Sequence, residues 1–108
     1  MIERRDFYID GAWVAPATPR DCLVIDPSTE EPCAVVSLGS QADTDAAVAA
    51  AKRAFPGWAA TPRSARRAIV ARILDIYEAR KEDLARAISM EMGAPIDFAR
   101  SDQATALP

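Results

Sequence analysis

The sequence predicts an α/β chain, with two short β-hairpins over residues 1–38 followed by about four α-helices over residues 39–108. Three observations carry this reading. Composition changes sharply near residue 40, from short β-rich runs broken by turn residues to long stretches of Ala, Arg and Glu. Asp10-Gly11 sits between two apolar triplets, the strongest short-range hairpin signal. Capping residues, Pro and Gly bracket the Ala-rich stretches, as helix ends require.

Taken in order, Phe7-Tyr8-Ile9 and Ala12-Trp13-Val14 form the first hairpin, because a type I′ turn needs positive φ and Gly11 accepts it cheaply. Cys22–Ile25 and Cys33–Val36 form the second, joined by a turn rich in Asp, Pro and Ser. All of these strands are expected to be antiparallel. Ser40 with Asp43 three residues on resembles a capping box and opens a helix that Pro56-Gly57 is expected to stop. Thr61-Pro62 reads as the next N-terminus, a capping hydroxyl followed by Pro at the first helical position. That helix carries a broad apolar stripe of Ile69, Val70, Ile73, Leu74, Ile76 and Tyr77. Lys81-Glu82-Asp83 starts a third helix that Gly93 ends, and Pro95 begins a fourth running through Phe98 toward Ala106. No C-cap follows, so the chain is expected to be a piece of a longer subunit.

Composition narrows the chemistry. The 108 residues contain no His, which removes Ser-His-Asp and Cys-His nucleophile arrangements and any imidazole metal site. Thirteen Lys and Arg stand against sixteen Asp and Glu, a net charge of −3 that argues against a nucleic-acid partner. No apolar run approaches the ~20 residues of a membrane span, and the charged opening Met1–Asp6 leads into no signal-like stretch. The expected location is the cytoplasm, with Cys22 and Cys33 reduced.

Each chemically capable group reads as structural. Cys22 and Cys33 lie on opposite arms of one hairpin, are not directly opposed, and have no neighbouring base to activate them; they read as small packing residues. Glu78, Glu82, Asp83 and Glu91 alternate with Arg72, Arg80, Lys81 and Arg86 at spacings that make surface ion pairs. Arg63, Arg66, Arg67 and Arg72 read as helix surface, and no glycine-rich phosphate loop is present. Trp13 and Trp58, beside turns, are expected to cap the core. From the residues alone, the segment holds no active site.

The order of motifs resembles the N-terminal part of the aldehyde dehydrogenase superfamily. The matching stretches are Phe7–Trp13, Val24–Glu31, Asp43–Phe55 leading to Trp58, Arg63–Arg67 opening a long helix, and Glu91–Pro95 between the last two. Asp26 stands where Asn is commoner in the family, and Glu30 where Gly is common.

For a complete protein the resemblance implies oxidation of a small-molecule aldehyde to an acid with NAD or NADP. In that chemistry a Cys thiolate forms a thioester that a Glu-activated water hydrolyses, and none of those residues matches a position here. This segment is thus expected to contribute no catalytic and no cofactor-binding residue. The resemblance further implies that the helices pack on a Rossmann-like cofactor domain absent from this chain, and that the complete protein is a homo-oligomer. Some family members hold a monovalent cation near the second strand and the helix after Pro95, which makes Asp102 the candidate metal ligand. The alternatives are a stand-alone helical interaction module, an inactive remnant of the family, or part of an acylating relative.

Overall fold

The computed structural model describes residues 1–103, with side chains through Ser101. Five strands precede the helices: β1 (Ile2–Arg4), β2 (Phe7–Ile9), β3 (Ala12–Val14), β4 (Asp21–Asp26) and β5 (Glu31–Ser37). Helices α1 (Gln41–Ala60), α2 (Arg63–Ala79), α3 (Lys81–Met92) and the short α4 (Ile96–Phe98) follow, and a π-helical turn spans Ala99–Gln103.

β2 and β3 pair antiparallel with Tyr8 opposite Trp13, and Asp10 and Gly11 both take positive φ (55° and 79°), the expected type I′ turn. The second sheet has the order β1-β5-β4. Only four residues join β4 to β5, too few for anything but an antiparallel connection. β1 corrects the all-antiparallel expectation. It lies parallel to β5, with Ile2 opposite Ala34 and Arg4 opposite Val36. Its three residues show no strand pattern of their own; pairing with a segment thirty positions away creates it.

The chain forms two compact units. The first comprises Met1–Val24 and Pro32–Thr61. Here Val35, 1% exposed, is buried with Ala34 and Ala50. Asp43 is buried at the start of α1. It completes the capping box: Ser40 donates its N–H and its hydroxyl to the Asp43 carboxylate, each at 2.7 Å. The second carboxylate oxygen accepts the N–H of Ala17 at 2.8 Å, so one side chain ties the loop before β4 to the mouth of α1.

Two expectations about helix ends are overturned. α1 does not stop at Pro56-Gly57 but runs through both to Ala60. Proline removes one ladder hydrogen bond, and the loss falls on an exposed segment, where it costs less than in a buried one. Thr61 then closes the last turn, its N–H donating to the Trp58 carbonyl at 3.1 Å and its hydroxyl to the Gly57 carbonyl at 2.9 Å. That hydroxyl therefore serves the end of α1. α2 is capped instead by Pro62, with no side-chain hydrogen bond.

The second unit comprises Ile25–Glu31 and the chain from Pro62 on. Ala85 and Ala99 are fully buried, with Ile88, Ala94 and Ile96 packed around them. Gly93 ends α3 as expected, at φ 72°, with its N–H on the Ser89 carbonyl at 2.9 Å. The fourth helix is shorter than expected: it gives way after Phe98 to the π turn, and its expected continuation at 104–106 lies outside the described residues. The wider turn holds Ala99 in the core while Arg100 reaches α3.

α2 is different. None of its residues is buried, and Ile69, Val70, Ile73, Leu74 and Ile76 are 40–57% exposed. Trp13 and Trp58 do not cap a core either, being 68% and 44% exposed. Trp13 packs edge-on against Tyr8, ring centroids 5.2 Å apart, on the outer face of its hairpin.

Candidate functional site

The polar groups that converge most are in the second unit. At the hairpin tip, the Asp26 carbonyl accepts the N–H groups of Thr29 (3.3 Å) and Glu30 (2.8 Å). The Asp26 carboxylate accepts the Ser28 hydroxyl and the Ser28 N–H, bonds that hold its pKa below the usual range. Glu30 closes the turn at φ 61°, the left-handed region, which explains why Gly suits this position. Pro27 lies directly over Gly93: a Cβ there would stand 2.9 Å from the Pro27 ring.

Beside this tip, α3 and the π turn share an ion-pair network. Arg100 binds Glu82 in bidentate fashion, Nε at 2.9 Å and Nη2 at 2.8 Å, and Arg86 joins the same carboxylate at 3.0 Å. Arg100 also reaches Asp97 at 3.3 Å. The Arg100 hydrogen bonds, helped by Arg86, lower the Glu82 pKa to about 2. The same pairing with Glu82 raises that of Arg100. A recess lined by Asp26, Ser28, Arg86, Ser89, Ile96 and Arg100 separates the tip from the network. Its charged groups are each already engaged, Asp26 by Ser28 and Arg86 and Arg100 by Glu82. Ser89, the neighbouring hydroxyl, donates to the Ala94 carbonyl at 2.7 Å.

The groups singled out in the sequence do not come together. Cys22 and Cys33 are half-buried free thiols whose neighbours are backbone carbonyls, Leu23 at 3.8 Å and Val24 at 3.4 Å respectively. Arg63, Arg66, Arg67 and Arg72 are spread along α2. Of the alternating carboxylates, Glu82 pairs with Arg86 as its spacing foretold, and Asp83 lies 3.6 Å from Arg80. Asp102 has its backbone in the π turn, and its side chain lies outside the described residues. Among the described residues no group of three His, Cys, Asp or Glu side chains gathers to hold a metal ion. The sequence reading missed the Glu82–Arg100 pair, because the partners are eighteen positions apart across a helix end.

What the segment belongs to is decided by comparison. The model of the aldehyde dehydrogenase family matches residues 13–107. The chain belongs to the aldehyde dehydrogenase family. It is 42% identical over 96 residues to a 3-succinoylsemialdehyde-pyridine dehydrogenase of a Pseudomonas species, covering 89% of this chain and 20% of that one. It is 43% identical over 100 residues to an N-succinylglutamate 5-semialdehyde dehydrogenase of Burkholderia orbicola, with coverages of 93% and 20%. The crystal structure of an aldehyde dehydrogenase from Bartonella henselae superposes with a TM-score of 0.94 at 56% identity, over 96% of this chain and 22% of that one. Aldehyde dehydrogenase C from Pseudomonas syringae, solved as a mutant with NAD+ and octanal, gives 0.90 at 50% identity, over 93% and 21%. The chain thus spans about one fifth of the length of its relatives, matching the N-terminal portion of an aldehyde dehydrogenase.

Proposed function

We propose that this segment is the non-catalytic N-terminal scaffold of an enzyme that oxidises an aldehyde to a carboxylic acid with NAD or NADP. The observation that carries the reading is the family match over nearly the whole chain, joined to its coverage of about one fifth of each relative. The NAD+ and octanal bound by the Pseudomonas syringae structure supply the chemical class of cofactor and substrate.

The residues present do not fit a nicotinamide dinucleotide. Gly11 lies in a hairpin turn, Gly39 before α1, Gly57 inside α1 and Gly93 at the end of α3, so no glycine-rich turn between a strand and a helix cradles a pyrophosphate. In the proposal the cofactor and the aldehyde are held by later parts of the polypeptide, and residues 39–108, which follow the hairpins of residues 1–38 in sequence, form a helical layer against a Rossmann-like domain there. The exposed stripe of α2 supports this: a helix with that much uncovered Ile, Val and Leu needs a packing partner. Homo-oligomeric assembly in the cytoplasm, without nucleic-acid or membrane partners, belongs to the same reading. No described helix is long and apolar enough to cross a membrane. So does a monovalent cation at Asp102, for which Asp102→Asn should remove any effect of K⁺ or Na⁺ on the complete protein's thermal midpoint.

The test is a spectrophotometric assay of the full reading frame's product for NADH or NADPH formation with octanal and small semialdehydes. The product should reduce the cofactor, and Cys22→Ser with Cys33→Ser should retain the rate. A reading frame with no Cys and Glu after this segment, or loss of turnover in the double variant, would overturn the proposal.

A further inference from the structure

We draw no further inference here: the strongest candidate, the exposed apolar face of α2 with the groove it forms against α3 at Ile73, Ile76, Tyr77 and Leu84, is the packing surface already described, and nothing else in the structure shows what covers it.

Discussion

Glu30 occupies a backbone conformation that costs an L-residue roughly 1–2 kcal/mol and costs glycine almost nothing. Glu30→Gly should therefore raise stability, by about 0.5–1 kcal/mol once the extra freedom of glycine in the unfolded chain is set against the relief. Urea titration of the complete protein checks it, and a lowered midpoint would contradict the strain argument. Gly93 is the opposite case. Gly93→Ala places a methyl into the Pro27 ring at positive φ, so the same titration should show a loss of at least about 1 kcal/mol. Ser40→Ala should cost about 1 kcal/mol through the lost cap. Asp43→Ala should cost more, since it releases three donors where Ser40→Ala releases fewer.

The same scale fixes an acid dependence. Glu82 titrates near 2 in the folded chain against an ordinary 4.5. A depressed carboxylate contributes stability above its unfolded pKa, and that contribution disappears as pH falls from about 4.5 toward 2. Asp26 and Asp43 are shifted the same way and add to the slope. Glu82→Gln should flatten the fall of thermal midpoint across that interval and lower the neutral-pH midpoint by the same contribution, a modest one because the network is exposed and screened by salt. An unchanged slope would show that the network carries no linkage.

Among the elements, the first hairpin, the capping box of α1 and the Gly93 stop were legible because each is local: the residues that decide it lie within four positions of one another. β1 was not legible, since its pattern lives in β5. The end of α1 was misjudged because a Pro-Gly pair is costly inside a helix, yet the turn beyond it is closed by Thr61, a residue with two possible employers. α2 was read correctly as a helix with an apolar stripe, and the structure adds that nothing among the described residues buries it. That yields a discriminating substitution. Ile73→Asp should leave the isolated segment's helix content, measured by circular dichroism, unchanged and reduce its association. In the complete protein it should lower the thermal midpoint strongly, since a charge would enter a packed interface. Equal small effects in both would show that α2 faces solvent in each.

For the molecule as a whole, the buried apolar residues among those described are Ala34, Val35, Ala50, Ala85 and Ala99, and Val35 is the largest. Autonomous domains of this length are held by Leu, Ile and Phe interiors, and here Ile and Leu side chains are mostly at the surface. Of the candidate site, the Glu82–Arg86 pair was legible from its i,i+4 spacing, and the Glu82–Arg100 pair was not, because eighteen positions separate the partners. The family reading came from ordered motifs, because the reacting groups it implies match no position here. Scanning calorimetry of the isolated 108-residue chain, with its mass in solution followed in parallel, tests this account most directly. We expect no cooperative transition of a monomer, and association that grows with concentration. A sharp monomeric melt with an enthalpy near the ~0.7 kcal/mol per residue of ordinary globular domains would show that the segment is complete in itself and contradict the account.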